Sequence, residues 1–203
     1  MKAAASLSRR AVLRSFAVGS AVTALPGFAH ALTETEASDL IQTVIAELYK
    51  ATEDGRPQAQ VFMDVEAILR RYSEIGVIAR SALGVAWRSA TDPQKLGFVN
   101  AFATYLSRKY GRRFRDFAIA NVKVTSTRKV TSGFMVSSTV TMKGGTWYGI
   151  EWQVVNLAGA EKLVNLSIEG ISMLASERSE IARLLDARRG NLDQLIADLA
   201  NLG

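Results

Sequence analysis

The sequence predicts an α+β fold in which helices come first, one antiparallel sheet follows, and helices return at the end of the chain. Apolar residues recur every three or four positions before residue 118 and again after residue 172, which is the spacing of amphipathic helices. Between these regions, apolar and polar residues alternate with the period of two that is typical of half-buried strands. We therefore expect a single domain over residues 32–203, with one apolar sheet face covered by helices.

Residues 1–31 have the pattern of a cleaved export signal. They contain four basic residues and no acidic residue, then an apolar run over residues 15–28 and a small-residue cleavage site at residues 29–31. The apolar run is too short to span a bilayer. The pair Arg9 and Arg10 favours the twin-arginine type of signal, with an ordinary positive n-region as the alternative. We therefore expect the mature protein in the periplasm.

The first helix is predicted over residues 33–48, where apolar residues lie three and four positions apart. Thr33 and Glu36 have the spacing of a capping box at its start. A mainly helical region follows over residues 61–69 and 77–87.

The next helix is predicted over residues 92–110. Asp92 is the expected cap and Pro93 the first helical residue, because proline is well tolerated there. Gly111 is the expected end of this helix, with continuation through Phe117 as the alternative.

Four strands joined by short turns are predicted after Ala118. Glycines at Gly133, at residues 144–145 and at Gly159 separate the alternating segments, as in antiparallel hairpins. Helical spacing then returns over residues 173–185 and, beyond Gly190, over residues 191–202.

Composition excludes several classes of function. Four of the 25 basic residues belong to the predicted signal, which leaves 21 against 19 acidic residues, so the charge of +6 falls to +2 and nucleic acid is not an expected partner. The single histidine, His30, lies in the signal and the chain has no cysteine. Thiol catalysis, histidine-based triads and the usual zinc sites are therefore excluded from the mature chain, and we expect neither metal nor cofactor.

Several segments, in order along the chain, resemble the MlaC or toluene-tolerance family. They are residues 68–72, 79–84 with Trp87, Phe98 with 102–106, 110–114, 165–172 and 177–181. The resemblance implies a periplasmic carrier, not an enzyme, that binds a phospholipid by its acyl chains between a sheet and helices. It further implies exchange with an outer-membrane lipoprotein complex and with the ring protein of an inner-membrane ABC transporter, in a system that maintains outer-membrane lipid asymmetry. Relatives associated with hopanoids share the architecture, so a hopanoid or another hydrophobic ligand stays open.

The candidate lipid-binding residues are the apolar residues on the predicted inward face of the sheet and three aromatic residues of the preceding helix. The same row of apolar residues is at least equally expected in a protein with a filled hydrophobic core, and only the resemblance to the MlaC family favours a lipid cavity. The candidates are Phe98, Phe102, Tyr105, Phe134, Val136, Val140, Met142, Tyr148, Ile150, Trp152, Val154, Val164, Leu166 and Ile168.

One dense group of basic residues lies near the end of the helix predicted over residues 92–110. These residues have two alternative interpretations. They form a surface that binds anionic headgroups or an acidic partner, or they are simply solvated residues at a helix end, where cations interact favourably with the helix dipole. The group comprises Arg108, Lys109, Arg112, Arg113 and Arg115.

A small cone-shaped α+β enzyme is the alternative function. It requires a base such as Glu151 or Asp116 and a donor such as Tyr105 or Tyr148 within one pocket. The alternation places Glu151 on the outward sheet face, which argues against this function.

A ligand-free adaptor with a filled core is a third alternative. For the carrier, we expect a monomer with only transient membrane proximity.

Overall fold

The computed structural model describes residues 32–53, 55–117, 121–142 and 145–203, and for residues 114–117 it describes the backbone alone. The predicted export signal, Ala118 and Gly144 lie outside these residues. Within them, seven helices and one five-stranded antiparallel sheet confirm the α+β prediction. No helix in these ranges is long and apolar enough to cross a membrane. The helices are α1 (Glu34–Ala51), α2 (Gln58–Tyr72), α3 (Ile75–Leu83), α4 (Ala86–Ser89), α5 (Asp92–Phe117), α6 (Met173–Ala187) and α7 (Leu192–Leu199).

The start of α1 confirms the predicted capping box. The Glu36 backbone N–H donates to the Thr33 hydroxyl at 3.2 Å, and the Thr33 backbone N–H donates to the Glu36 carboxylate at 2.8 Å. Two backbone donors that a free helix end leaves unpaired are thus satisfied. Residues Ala37, Ile41 and Ile45 on one stripe of α1 are buried, as the spacing predicts.

The start of α5 differs from the prediction, and its end agrees with the alternative of continuation through Phe117. Thr91, not Asp92, caps the helix, because the Thr91 hydroxyl accepts from the Gln94 backbone N–H at 3.3 Å while the Gln94 side chain accepts from Thr91 N–H at 3.0 Å. Gly111 does not end the helix, which continues to Phe117. A Cβ at Gly111 would lie 3.0 Å from Cδ1 of Phe62, so this glycine permits close packing of α5 on α2.

The helical segment predicted over residues 77–87 is divided. Gly84 adopts a positive φ of 62° between α3 and the short α4, which turns the chain after Leu83. The side chain of Arg178 from α6 lies 3.4 Å from the position a Cβ would take at Gly84. A larger residue is therefore disfavoured there by the backbone conformation, whereas a contact of 3.4 Å is an ordinary van der Waals distance.

The sheet has the simple order β1-β2-β3-β4-β5, with every neighbouring pair antiparallel. The four predicted strands are present, and the two-residue β5 is an addition that is too short to show alternation in the sequence. The strands are β1 (Asn121–Val130), β2 (Gly133–Thr141), β3 (Trp147–Leu157), β4 (Ala160–Ile168) and β5 (Ile171–Ser172).

A β-bulge shifts the register between β3 and β4. Trp152 lies opposite Leu166, but Val154 lies opposite Leu163, so one extra residue is inserted in β4. As a result Leu163 is buried in the sheet core, whereas strict alternation from Leu166 selects Val164.

The described residues form three hydrophobic cores: a small one joins α1 to α2, and two larger ones lie among the later helices and against the sheet. One core joins α3, α5, α6 and α7, and Phe98 and Phe102 are fully buried in it with their rings stacked at 5.4 Å between centroids. The other joins the first half of α1 to β2, β3 and β4. The space between these two cores is where the candidate site lies.

Candidate functional site

The inward face of the sheet is filled at one end and open at the other. Ala37 and Ile41 from the first half of α1 are fully buried and belong to the core that contains Phe134, Val136 and Val154. The second half of α1, from Ile45 onward, leaves a space over the inward-facing residues at the other end of the strands. An apolar recess lies there instead.

We call this recess the α1 arm. It has a nearly apolar wall, and the space within it, which includes its opening to solvent, is about 550 Å³. The sheet side of the wall is continuous because Val122 pairs with Val140 and Ile150 pairs with Ile168 across neighbouring strands. The lining residues are Ile45, Leu48, Tyr49, Thr52, Val122, Val140, Ile150, Trp152, Leu166 and Ile168.

A second apolar recess, the α5 arm, lies between β4 and the helices α2, α3, α5 and α6. The space within it, which includes its opening to solvent, is about 660 Å³. Leu166 and Ile168 line both arms, so the two recesses lie next to each other at the end of β4. The lining residues are Leu69, Ser73, Ile78, Leu106, Tyr110, Leu163, Val164, Asn165, Leu166, Ile168, Met173, Leu174 and Glu177.

One wall of the α5 arm carries a buried ion pair. Glu177 of α6 is only 3% exposed. Its Oε1 accepts hydrogen bonds from Lys109 Nζ at 2.7 Å and from the Tyr110 hydroxyl at 2.5 Å. Lys109 Nζ also donates to the Tyr105 hydroxyl at 2.9 Å. The pair joins α5 to α6 beside an otherwise apolar space.

Burial dominates the acid–base properties of this cluster. It raises the pKa of the Tyr110 phenol, and the neighbouring Glu177 carboxylate acts in the same direction. Burial also raises the pKa of Tyr105, although the hydrogen bond from Lys109 opposes it. Burial lowers the pKa of Lys109, but its hydrogen bonds to Glu177 and Tyr105 outweigh that effect, so its pKa is raised. Both phenols are therefore neutral and Lys109 is charged at neutral pH.

A buried hydrogen bond orients the largest side chain of the α1 arm. The indole Nε1 of Trp152 donates to the Ser138 hydroxyl at 2.9 Å, and both residues are almost fully buried. A buried indole N–H without a partner costs free energy, so Ser138 allows Trp152 to occupy an apolar wall.

Six of the fourteen candidate lipid-binding residues line the two arms, and the other eight lie elsewhere. Phe98, Phe102 and Tyr105 belong to the helical core, and Phe134, Val136 and Val154 to the sheet core. Met142 packs at the margin of the sheet core, and Tyr148 lies opposite Val140 without lining either arm. The six lining residues are Val140, Ile150, Trp152, Val164, Leu166 and Ile168.

The basic candidates have different environments. Lys109 is held by Glu177, whereas Arg112 and Arg113 are exposed and lie 5.6 Å and 5.9 Å from the ring centroids of Phe62 and Tyr110. Arg108 is half-buried, and the side chain of Arg115 lies outside the described residues. Among the described side chains of the group, Arg112 and Arg113 are therefore the exposed ones, in cation–π contact with aromatic faces.

Two groups of lining residues were missing from the sequence prediction. Ile45, Leu48 and Tyr49 belong to the apolar stripe of α1, which the sequence shows clearly but which indicates burial in general. No feature of the sequence indicated that Glu177 lines a recess, because a charged residue within an amphipathic helix usually lies on its solvated side.

The residues required by the enzyme alternative are not brought together. Glu151 is half-exposed and pairs with Arg128 at 3.1 Å, and it alternates with Ile150 and Trp152, which face the α1 arm. The side chain of Asp116 lies outside the described residues. Among the groups described, Glu151 therefore does not share a pocket with Tyr105 or Tyr148.

Comparison with known proteins agrees with this architecture. A phospholipid-binding protein from Ralstonia solanacearum, solved in complex with a phospholipid, has the same fold with a TM-score of 0.65 at 19% sequence identity, covering 81% of this chain and 98% of the other. No curated protein sequence matches the chain significantly. The sequence model of the MlaC protein family matches residues 38–201. Because this match extends over most of the 203 residues, the chain belongs to the MlaC protein family.

Proposed function

We propose that the protein is a lipid carrier that binds a phospholipid by its acyl chains, with one chain in each arm. The observation that carries this proposal is that two adjacent apolar recesses share the lining residues Leu166 and Ile168. A glycerophospholipid has two hydrocarbon chains that diverge from one backbone, so a forked apolar space matches its shape. The fold shared with a phospholipid-binding protein supports the same ligand class.

The energetics of transfer favour such a cavity. Two acyl chains hold roughly 30 methylene groups, and exposing them to water costs about 0.8 kcal/mol each, or about 24 kcal/mol in total. A lipid moved between bilayer and protein exchanges one apolar environment for another, so binding in the arms avoids that cost. Both arms have almost entirely apolar walls, which is what this exchange requires.

We further propose that the carrier works in the periplasm as a monomer and serves an ABC-type system for outer-membrane lipid asymmetry. Its partners are an outer-membrane lipoprotein complex and the inner-membrane ring protein of the transporter. Membership of the MlaC family and the signal pattern of residues 1–31 support this role. The exposed Arg112 and Arg113 offer a basic surface for an acidic partner. The net direction of lipid transport then depends on differences in lipid affinity between the partners, because the cavity itself does not favour either direction.

Native mass spectrometry of the mature protein purified from a bacterial periplasm tests the proposal. We expect a mass excess equal to one diacyl phospholipid, and we expect the extracted lipid to be chemically intact because the protein performs no reaction on it. A mass excess equal to one hopanoid would instead support the alternative that the protein carries hopanoids. A bare polypeptide that takes up no lipid from phospholipid vesicles would refute a carrier function.

A further inference from the structure

A half-polar groove lies between α1 and the outer edge of β1. The space within it, which includes its opening to solvent, is about 1010 Å³. Six consecutive residues of β1, 122–127, line one side. Because side chains alternate between the two faces of a strand, a groove that touches six residues in a row follows the backbone edge of the strand. The other side consists of Ser38, Gln42, Ile45, Ala46 and Tyr49.

The edge of β1 presents main-chain groups to this groove. β1 is the first strand in the sheet order, and no strand of the described residues lies on its outer side. The Val122 N–H points outward, because it donates to the Tyr49 hydroxyl at 2.8 Å. Main-chain groups alternate in direction along an antiparallel strand, so the N–H and C=O of Val124 point to the same edge. A β-bulge between Val124 and Ser126 interrupts this alternation, so a regular edge extends over residues 122–124.

The side chains of this edge are complementary to an extended segment with one acidic residue. Lys123 is exposed, is the only charged residue of the groove in the described part of the chain, and has no ion-pair partner there. Its neighbours Val122 and Val124 are half-buried and pack against the sheet core. Residues that lie opposite each other in an antiparallel pair share one face of the sheet. The matching segment therefore has an acidic residue opposite Lys123 and an apolar residue on each side of it.

Pairing with this edge competes with Tyr49. A strand that pairs opposite Val122 accepts its N–H with a backbone carbonyl, so the Tyr49 hydroxyl must give up that hydrogen bond. Ile45, Tyr49 and Val122 line both the groove and the α1 arm, so these side chains stand between the two spaces. A segment bound in the groove is therefore in direct contact with one wall of the arm.

We propose that the groove is a docking site for a short extended segment of a partner protein, which pairs with residues 122–124 and displaces Tyr49 from Val122. The segment carries an acidic residue between two apolar residues. When a strand is added to a free sheet edge, main-chain hydrogen bonds provide affinity and alternate side chains provide specificity. The docking site is independent of the proposed carrier function. Its effect on lipid rests on that function, because a displaced Tyr49 loosens one wall of the α1 arm and speeds lipid release.

A capped, fluorescent peptide with the sequence Ser-Thr-Val-Glu-Val-Thr-Ser is the probe, and fluorescence anisotropy at low salt measures its binding. We expect saturable binding to the unmodified protein. N-methylation of the first valine removes a donor that faces β1 and blocks close approach of the strands, so it should weaken binding by about tenfold or more. N-methylation of the glutamate alters an N–H that points away from β1, so this matched peptide should bind nearly as well as the probe.

Two variants test the named side chains. Lys123→Glu should weaken binding by about threefold and should instead favour a peptide with lysine in place of the glutamate. Lys129→Glu, on the same strand but outside the groove, is the control and should leave binding unchanged. Tyr49→Phe removes the competitor for the Val122 N–H, so it should strengthen binding by up to about fivefold.

Each outcome has one meaning. No binding of the probe by the unmodified protein, or equal weakening by the two N-methyl groups, would overturn the docking site. Binding that Lys123→Glu and Tyr49→Phe both leave unchanged would also overturn it. With lipid-loaded protein, the probe should speed lipid transfer to phospholipid vesicles, and an unchanged rate would refute the effect on release. A protein that binds the probe but takes up no lipid would refute the carrier function and leave the docking site intact.

Discussion

The hydroxyl oxygen of Tyr49 accepts a hydrogen bond from the Val122 backbone N–H at 2.8 Å. Both residues line the α1 arm, and Val122 lies near the start of the edge strand β1. The bond therefore fixes α1 to the outer strand of the sheet and closes one side of the arm. Because no strand of the described residues lies on the outer edge of β1, this contact replaces a strand–strand hydrogen bond there.

Tyr49→Phe removes this bond while keeping the aromatic ring. We expect a loss of about 1 kcal/mol in the free energy of unfolding, since the Val122 N–H loses its partner. We also expect bound lipid to leave faster, because that side of the α1 arm is less constrained. Urea unfolding and lipid transfer to acceptor vesicles measure the two effects.

Tyr72→Phe is the matched control. The Tyr72 hydroxyl donates to Glu47 at 2.7 Å, and neither residue lines an arm. This variant should lose similar stability with unchanged lipid transfer. Equal acceleration of transfer in both variants would show that general destabilisation, and not the Tyr49 contact, controls release.

Leu48→Trp tests whether the α1 arm holds an acyl chain. The larger side chain fills part of the recess with apolar surface, so we expect lower lipid occupancy without loss of stability in the lipid-free protein. Met63→Trp on α2 is the control, because Met63 is 65% exposed. Quantitative lipid extraction and thermal unfolding of both variants measure the result. Full occupancy in Leu48→Trp would place the ligand elsewhere.

The fold was largely predictable because each element has a local signal. The capping box of Thr33 and Glu36 and the alternation along β2 and β3 come from neighbouring residues alone. The errors arose where tertiary packing decides. Gly111 ends many helices, but here it is needed for contact with Phe62, and that contact is invisible in the sequence.

The cavity was less predictable than the fold for the same reason. Alternation selects Phe134 and Ile150 equally, and both belong to the sheet core, yet only Ile150 also lines the α1 arm. The inward position of Leu163 depends on a bulge that has no sequence signal. The alternation of apolar and polar residues thus predicts that a residue is buried, but whether that residue faces a core or a cavity depends on the helix packed over it.

Ile168→Glu tests the junction of the two arms. Ile168 lines both recesses, so a carboxylate there should strongly reduce lipid copurification, because it would have to be desolvated against an acyl chain. The control is Thr139→Glu, since Thr139 alternates with the buried Ser138 and Val140 on β2 and lies opposite Lys123. Circular dichroism establishes that each variant is folded. A full lipid load in folded Ile168→Glu would contradict the forked site.

Replacing Arg112 and Arg113 by glutamate tests the accessible basic surface. We expect slower lipid exchange with the partner proteins at low salt and unchanged lipid occupancy, because charge at an interface rim mainly changes association rate. Arg128 and Lys129 on β1 form the matched adjacent pair, and their replacement by glutamate should have little effect. Equal exchange by both variants and the unmodified protein would exclude Arg112 and Arg113 from the partner surface.

The cluster around Tyr110 predicts alkaline sensitivity. A phenol whose pKa is raised in the folded state stabilises the fold fully below the ordinary tyrosine pKa of 10.0, and that contribution falls as pH rises above it. The raised pKa values of Tyr105 and Lys109 act in the same direction. Urea unfolding between about pH 9 and 11.5 should show stability decreasing by up to about 1.4 kcal/mol per pH unit for each phenol that stays protonated in the folded state. Tyr110→Phe should reduce that slope, and an identical slope in the variant would mean that Tyr110 ionises as freely in the folded protein as in the unfolded chain.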